Sequence, residues 1–151
     1  MKVMFVCTGN ICRSAMAEGI LKKLVKENNL NIEVCSCGVY AGDGDYASFN
    51  AIEAAKYYDV DISNHKATNI RNSQIEEMDI ILCATNSHKN VVISMYPNLM
   101  NKVYTMKEYA GLDKDGKDMD VKDPWGYDME TYRRCIQEIS LCIEKIIEKI
   151  L

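Results

Sequence analysis

Residues 2–18 read KVMFVCTGNICRSAMAE and suggest three successive pieces of local structure. Residues 3–7 form a short continuous apolar run, which is typical of a strand buried on both faces. Gly9 and Asn10 come next, and both residue types tolerate left-handed backbone conformations. Apolar side chains then recur at helical spacing from Met16 onward. The stretch therefore predicts a buried strand, a tight loop and a helix N-terminus.

The alternation of strands and helices continues through the rest of the chain. Apolar runs predict further strands at residues 32–36, 79–85 and 102–105. Helices are predicted between these strands, at residues 48–58 and 87–96. Strands that alternate with helices form right-handed βαβ units, so we expect an α/β fold of three layers. In that fold a four-stranded, mainly parallel sheet carries helices on both faces.

The C-terminal part holds the most regular helical pattern of the chain. One apolar stripe predicts a helix there, and it comprises Tyr132, Ile136, Ile139, Ile143, Ile146, Ile147 and Ile150. Before this helix, residues 111–123 contain five Asp and two Gly among few apolar residues, which indicates an exposed loop. Neither repeats nor linkers interrupt the sequence, so we expect a single domain over residues 1–151.

Composition and charge limit the possible functions. The chain has 151 residues, of which 48% are hydrophobic and 26% charged, as is typical of a globular protein. The net charge of −4 offers no broad basic surface, so we expect neither nucleic acid nor an anionic membrane as a partner. The sequence shows no run of 18 apolar residues, and no secretory signal accompanies its seven cysteines. We therefore expect a cytoplasmic protein whose thiols remain reduced.

The loop between Cys7 and Ser14 has the features of an anion-binding site. A loop that leads into a helix N-terminus turns its backbone N–H groups inward, and the positive end of the helix favours a thiolate. We therefore expect Cys7 to act as a nucleophile at the end of the strand. The guanidinium of Arg13 can bind two phosphoryl oxygens at once, and Ser14 can donate a hydrogen bond to the thiolate. The spacing of Cys and Arg is weakly specific by itself, but the surrounding strand and helix raise its specificity.

A nucleophile of this kind needs an acid to protonate the leaving group, because the departure of a bare phenolate is unfavourable. Asp123 is the candidate acid, and the Pro124 that follows restricts it to an extended conformation. Trp125 and Tyr127 can form the walls of a slot for a flat aromatic ring. An ordinary Asp-Pro turn would account for the same residues, so both interpretations stay open at this point.

The loop at residues 6–18 and the later Asp123-Pro124-Trp125 resemble the low-molecular-weight protein tyrosine phosphatase family. The resemblance extends over essentially the whole chain and implies a flavodoxin-like fold with a phosphate loop after the first strand. It implies an enzyme that hydrolyses phosphotyrosine in proteins through a cysteinyl-phosphate intermediate and releases inorganic phosphate. A tyrosine kinase of the bacterial type would be a partner. Neither a metal nor an organic cofactor is implied.

The resemblance also implies a role for each site residue. Cys7 would attack phosphorus, Arg13 would bind the phosphoryl group, and Asp123 would act first as an acid and then as a base. Substrate would contact the loop and two aromatic rings, comprising Thr8, Gly9, Asn10, Ile11, Cys12, Ser14, Trp125 and Tyr127. Hydrogen bonds that hold the loop in shape would come from Asn10, Ser14, Ser36 and His65. Cys12 would form a reversible disulfide with Cys7 and protect it from over-oxidation.

Three other activities are compatible with this fold. Protein arginine phosphatases resemble the chain, including at residues 102–109, but they carry a threonine at the position of Ile11, whose apolar side chain suits a phenyl ring. Arsenate reductases of this type use two further thiols. Cys83 would match the first of them, whereas Asn90 stands near the place of the second. A module that only binds phosphotyrosine would lack the nucleophile or the acid, or would point Asp123 away from the site.

The histidines and the remaining cysteines are expected to be structural. His65 and His88 lack the spacing of a zinc site, both to each other and to pairs of cysteines. His88 is predicted to lie on the surface of a helix. The other cysteines are predicted to pack in or beside the core, and they comprise Cys35, Cys37, Cys135 and Cys142.

Overall fold

The computed structural model describes residues 1–151, with four strands and five α-helices in alternation. The strands are β1 (Lys2–Cys7), β2 (Glu33–Gly38), β3 (Ile80–Cys83) and β4 (Val103–Thr105). The helices are α1 (Arg13–Glu27), α2 (Phe49–Lys56), α3 (Asn86–Met95), α4 (Met106–Ala110) and α5 (Met129–Ile150). Three short 3₁₀ helices lie in the connections, at Ile70–Asn72, Ile75–Glu77 and Pro97–Lys102.

The four strands form one sheet in the order β2-β1-β3-β4, and every neighbouring pair is parallel. β1 pairs with β2 over its whole length, from Lys2 opposite Glu33 to Cys7 opposite Gly38. β2 lies on one side of β1, whereas β3 and β4 lie on the other side, which is the strand arrangement of flavodoxin-like folds. Ligands of such sheets bind at the carboxyl ends of the strands, beside this point of reversal. Cys7 lies at that place.

Helices cover both faces of the sheet and enclose two separate cores. α1, α2 and α5 pack together over the larger core, which contains Cys7 and Met16. The smaller core lies on the opposite face, under α3, and contains Val6, Cys83 and Val92. Since successive side chains of a strand point to opposite faces, β1 contributes to both cores. The predicted three-layer α/β fold is confirmed, and its sheet is entirely parallel.

α5 closes the larger core with the predicted apolar stripe. Asp128 caps the helix, because its carboxylate accepts a hydrogen bond from the backbone N–H of Thr131. The members of the stripe that are buried comprise Tyr132, Ile136, Ile139, Ile143 and Ile146. Cys135 and Cys142 are also buried, and the four cysteines expected beside or within the core all contribute to packing. None of the helices is both long and apolar enough to cross a membrane.

Several element ends differ from the sequence-based prediction by one or two residues, β3 and α2 being shorter than predicted, and two differences have a clear physical reason. β2 continues past its predicted end to Gly38, because its pairing with β1 extends as far as Cys7. α4 is not predicted, since a helix of five residues is too short to show periodicity. It is defined by its ends instead. Thr105 and Glu108 form a capping box at its start, and Gly111 ends it with a left-handed φ of 75°.

The Asp-rich loop between α4 and α5 is fixed at its base by a buried cation. Lys107 is only 5% exposed, and its ammonium lies 2.8 Å from Asp118 and 3.1 Å from Glu138 of α5. Further along, the backbone N–H of the buried Val121 donates to the carbonyl of Ala84 at 2.8 Å. The loop is exposed, as predicted, but it is held against β3 and α5 directly before the Asp-Pro-Trp segment.

Candidate active site

The phosphate loop connects the end of β1 to the start of α1. Cys7 is the last residue of the strand, and Arg13 is the first residue of the helix. Between them the chain turns on Asn10, whose φ of 57° lies in the left-handed region. The first backbone N–H groups of a helix have no acceptor within it, so this end of α1 is suited to bind an anion. The strand, loop and helix expected from residues 2–18 are all present.

The Cys7 sulfur faces a hydroxyl whose orientation is set by its neighbours. Sγ of Cys7 lies 2.8 Å from Oγ of Ser14. The Asn10 amide nitrogen donates to this Oγ at 2.7 Å, and to Oγ of Ser36 at 2.8 Å. Because an amide nitrogen only donates, the Ser14 oxygen accepts from Asn10, and its own proton is available for a hydrogen bond to the sulfur. The Ser14 hydroxyl is thus placed directly beside the Cys7 sulfur.

Asn10 is the centre of the hydrogen bonds that hold the loop. Its side-chain oxygen accepts from the backbone N–H of Thr68 at 2.9 Å, and its backbone carbonyl lies 2.7 Å from Nε2 of His65. The Ser36 hydroxyl donates in turn to Glu18 at 2.5 Å. The structure thus brings together the residues named for loop support, Asn10, Ser14, Ser36 and His65. Glu18 and Thr68 belong to the same network, although no pattern in the sequence pointed to them.

Gly38 allows β2 to lie directly against the back of the phosphate loop. A Cβ atom at this position would collide with the carbonyl oxygen of Thr8 and would lie 2.9 Å from the backbone nitrogen of Asn10. The Gly38 N–H also donates to the carbonyl of Thr68 at 2.9 Å. A side chain at residue 38 would therefore displace the loop, and this requirement is visible only in three dimensions.

The guanidinium of Arg13 links the phosphate loop to the loop that carries Asp123. Its Nη1 donates to the carbonyl of Val121 at 2.9 Å. Its Nη2 lies 3.4 Å from Oγ1 of Thr8 and 3.6 Å from Oδ2 of Asp123. The Arg13 side chain is 4% exposed, whereas that of Asp123 is 50% exposed. The buried cation therefore draws a solvent-facing carboxylate to the edge of the Cys7 pocket.

One pocket contains residues from both loops, and its lining comprises Cys7, Thr8, Gly9, Ile11, Cys12, Arg13, Asp123 and Trp125. Asp123 is held by a local turn, since its Oδ1 accepts from the backbone N–H of Trp125 at 3.0 Å. The Trp125 side chain lines the pocket although Trp125 is 61% exposed. The structure thus places the predicted nucleophile, arginine and acid in a single cleft.

Three residues named for substrate contact do not line this pocket. Tyr127 was expected as a second aromatic wall, but it is 65% exposed and lies outside the lining. Gly126, with a left-handed φ of 84°, lies between Trp125 and Tyr127. Asn10 and Ser14 are completely buried behind the loop, where they act as supports.

Cys12 lies beneath the loop, next to two hydroxyl groups. Its Sγ is 3.3 Å from Oγ of Ser48 and 3.2 Å from the Tyr132 hydroxyl. Burial raises the pKa of the Cys12 thiol, and these two hydrogen bonds offset only part of the effect. Cys7 and Cys12 are both free thiols in the structure. The reversible disulfide between them remains a prediction.

His88 is buried, which corrects the expectation that it lies on a helix surface. The residue is 6% exposed, and Nε2 of its ring lies 2.8 Å from Oγ1 of Thr8. Nδ1 lies 2.9 Å from Oγ1 of Thr85. Burial, together with the positive charge of Arg13, lowers the pKa of His88 to about 4. The ring is therefore neutral at physiological pH and connects α3 to the phosphate loop.

This lowered pKa predicts a pH dependence of stability. Between about pH 6.5 and 4 the unfolded chain binds a proton at His88 that the folded chain excludes, so the free energy of unfolding should fall as the pH falls. Arg13 opposes protonation of the ring, whereas Asp120 and Asp123 favour it. We expect His88→Gln to reduce the slope over this window in urea unfolding at successive pH values. Parallel curves for the two proteins would contradict the prediction.

The acidic loop and the two histidines do not assemble into a metal site. No group of three or more His, Cys, Asp or Glu side chains is arranged to hold a metal ion. His65 and His88 both bind the phosphate loop instead, one at the carbonyl of Asn10 and the other at the hydroxyl of Thr8.

The parallel sheet carries at its carboxyl edge a pocket built around a strand-end cysteine and the start of a helix. The family model described as low molecular weight phosphotyrosine protein phosphatase matches residues 2–151. The chain belongs to this family, as its motifs implied.

Similar proteins carry several different activities in their names, and an arsenate reductase of Staphylococcus aureus is 34% identical over 143 residues, 95% of this chain and 93% of that one. The protein-arginine-phosphatase of Bacillus subtilis is 32% identical over 150 residues, which are 99% of this chain and 97% of that protein. The low molecular weight protein-tyrosine-phosphatase PtpB of Staphylococcus epidermidis is 35% identical over 147 residues, 97% of this chain and 96% of that one. A crystal structure of the low molecular weight protein tyrosine phosphatase from T. tengcongensis superimposes with a TM-score of 0.91, at 42% identity, and covers 99% of both chains.

Proposed function

We propose that this protein is a protein tyrosine phosphatase, which hydrolyses phosphotyrosine in proteins through a cysteinyl-phosphate intermediate. The observation that carries the proposal is the presence of Cys7, Arg13 and Asp123 in one pocket at the carboxyl edge of the sheet. Cys7 is the nucleophile, Arg13 binds the phosphoryl group, and Asp123 is the general acid and base. Membership of the family supports the same reaction.

In the first step, the Cys7 thiolate attacks phosphorus. A sulfur–phosphorus bond forms, and the bond between phosphorus and the tyrosine oxygen breaks. That oxygen leaves with the bonding electron pair and takes a proton from Asp123, so that a neutral phenol departs. The guanidinium fork of Arg13 binds two phosphoryl oxygens and offsets their charge in the transition state. The Ser14 hydroxyl, 2.8 Å from the sulfur, stabilises the thiolate before the attack.

In the second step, water hydrolyses the cysteinyl-phosphate. Asp123 is now a carboxylate and removes a proton from the attacking water. The oxygen–phosphorus bond forms as the sulfur–phosphorus bond breaks, and the electron pair returns to Cys7 as a thiolate. The products are inorganic phosphate and an enzyme in its starting state, since Asp123 regains its proton. No other group has to supply a proton or an electron.

The walls of the pocket suit an aromatic ring. Ile11 and Trp125 both line it, and Ile11 carries only apolar atoms in its side chain. A phenyl ring between these side chains would bury apolar surface while its phosphate reached Cys7. The substrate slot is thus formed by Ile11 and Trp125 rather than by two aromatic rings.

The alternative is a protein arginine phosphatase of the same fold. A relative with that name is 32% identical to this chain. The feature that favours phosphotyrosine is Ile11, because it has no hydroxyl to bind a guanidinium or to position water.

We expect the wild type to prefer a phosphotyrosine peptide over a phosphoarginine peptide. Ile11→Thr should shift the ratio of kcat/KM toward phosphoarginine by about tenfold or more, a typical effect of one hydroxyl in a specificity pocket. Side-by-side turnover of both peptides measures this ratio. Ile52→Thr is the matched control, because Ile52 packs against the core from α2 and does not line the pocket. A wild type that prefers phosphoarginine would show that our interpretation of Ile11 is wrong.

Two further activities find little support at this site. Arsenate reduction would need a chain of thiols, but Cys83 is fully buried in the smaller core, and Asn90 carries no sulfur. Burial also raises the pKa of the Cys83 thiol far above its usual range. A module that only binds phosphotyrosine would have no use for an acid, whereas Asp123 lines the pocket beside Cys7.

The same proposal implies the substrates, the opposing enzyme and the cellular location. The substrates are phosphotyrosine-containing proteins, and a tyrosine kinase of the bacterial type is the enzyme that the phosphatase opposes. Residues 1–151 act as a single domain in the cytoplasm, where the seven thiols, all free in the structure, stay reduced. The two chemical steps use water as a reactant and need no cofactor.

A further inference from the structure

The start of α3 lies between the two loops of the active site. Thr85 caps this helix, and the His88 backbone N–H donates to the Thr85 hydroxyl at 3.1 Å. The backbone N–H of Asn86 donates to Asp120, in the loop that leads to Asp123, at 2.8 Å. On its other side, the His88 ring contacts Thr8 of the phosphate loop. One helix turn therefore contacts both loops.

Each nitrogen of the His88 ring faces one threonine hydroxyl. The Thr85 hydroxyl already accepts the backbone N–H of His88, so its own proton is available for Nδ1, 2.9 Å away. In the tautomer that carries its proton on Nε2, this nitrogen donates to Oγ1 of Thr8 at 2.8 Å. Arg13 also donates to this oxygen, from Nη2 at 3.4 Å. In that tautomer Thr8 receives two donors, and its own proton is free for a ligand in the pocket.

We infer that His88 is a positioning residue of the active site, which orients the Thr8 hydroxyl and, through it, one edge of the Arg13 guanidinium toward the phosphoryl oxygens. The inference rests on the proposed phosphatase function and extends it to a residue outside the pocket lining. A neutral ring is required here, since a second positive charge beside Arg13 would repel the guanidinium that it helps to hold.

Two substitutions of His88 separate its two hydrogen bonds. The amide of an asparagine replaces Nδ1 and can still bind Thr85, but it is too short to reach Thr8. The amide of a glutamine replaces Nε2 and can reach Thr8. We expect His88→Asn to weaken the binding of inorganic phosphate by about five- to tenfold, the effect of one lost hydrogen bond. His88→Gln should stay within about threefold of the wild type, because it keeps that bond.

The measurements are the dissociation constant for inorganic phosphate by calorimetry, kcat and KM for 4-nitrophenyl phosphate, and thermal unfolding of each variant. Val92→Ala is the control, since Val92 is buried in α3 one turn further along, in the smaller core. It should lower the melting temperature and leave the phosphate affinity unchanged. An equal loss of phosphate affinity in Val92→Ala and His88→Asn would show a merely structural role and overturn the inference.

A double-mutant cycle tests whether His88 affects phosphate binding through the Thr8 hydroxyl. Thr8→Val removes the hydroxyl at nearly constant volume, so adding His88→Asn to it should weaken phosphate binding by less than about twofold. Losses that multiply in the double variant would overturn the inference. If His88→Asn does not fold, the wild type still provides a test by NMR: phosphate should shift the His88 ring nitrogen signals, and Thr8→Val should abolish that shift. Unchanged signals in the wild type would count against the inference.

Because phosphate binding is measured separately from turnover, a failure of the inference about His88 can be distinguished from a failure of the proposed function. A wild type that binds phosphate but does not turn over aryl phosphates would contradict the phosphatase proposal, while calorimetry would still decide the role of His88. A wild type that is fully active, with a His88→Asn variant that binds phosphate equally well, would contradict the role of His88 alone.

Discussion

Cys7→Ser should lower the turnover of a phosphotyrosine peptide by about 10⁴-fold or more, the scale of loss seen when a covalent nucleophile is removed. A serine hydroxyl is far harder to ionise than a thiol, so the same hydrogen bond from Ser14 and the same helix end cannot produce a comparable nucleophile. The rest of the pocket is unaltered, because Arg13 and the loop amides do not depend on the sulfur. The variant should therefore still bind phosphate with an affinity near that of the wild type.

Steady-state turnover and phosphate binding, measured on the same preparations, check this prediction. Cys35→Ser is the matched control, since Cys35 lies half-buried on β2 and takes no part in the pocket. It should retain wild-type turnover. If Cys7→Ser hydrolyses an aryl phosphate at the normal rate, the covalent mechanism is wrong.

Asp123→Asn should lower kcat more strongly for substrates with poorer leaving groups. With phenyl phosphate we expect kcat to fall by about 10²- to 10³-fold, within the usual range for a lost general acid. With 4-nitrophenyl phosphate the loss should be much smaller, because 4-nitrophenolate leaves without needing a proton. Asparagine keeps the size of the side chain and can still accept the N–H of Trp125, so the loop should hold its shape.

The readout is the dependence of kcat on the pKa of the leaving group across a series of aryl phosphates. Asp115→Asn is the control in the same loop. Asp115 is exposed, and its φ of 59° is one that asparagine adopts readily. It should behave as the wild type with every substrate. Equal losses with good and poor leaving groups in Asp123→Asn would argue against the role of Asp123 as an acid.

Local signals in the sequence were sufficient for the elements around Cys7. The apolar run before it, the left-handed Asn10 and the start of a helix at Arg13 depend mostly on neighbours in the chain, and each is present in the structure. The apolar stripe of α5 was visible for a similar reason, because helical periodicity repeats over many residues. The candidate acid Asp123 lies more than 100 positions from Cys7, and its Asp-Pro context alone left an ordinary turn equally open until the family resemblance favoured the acid.

What the sequence did not reveal depends on contacts between distant segments. The burial of His88 follows from the way α3 packs beside the phosphate loop, and a lone histidine in a helix carries no sign of that. Gly38 is needed only because β2 and the loop lie close together. Tyr127 is expected as an aromatic wall of the slot, but it lies outside the pocket lining, beyond the left-handed Gly126.

The contacts of Asn10 have a thermodynamic consequence. Its side chain and carbonyl bind four groups from the loop, from β2 and from residues 65–68, so the shape of the phosphate loop is an outcome of folding. Ordering a flexible backbone costs roughly 1–2 kcal/mol per residue. In this molecule that entropy is lost when the chain folds, and the binding of phosphate does not have to supply it. More of the interaction energy between the anion and the loop is then available to stabilise the transition state.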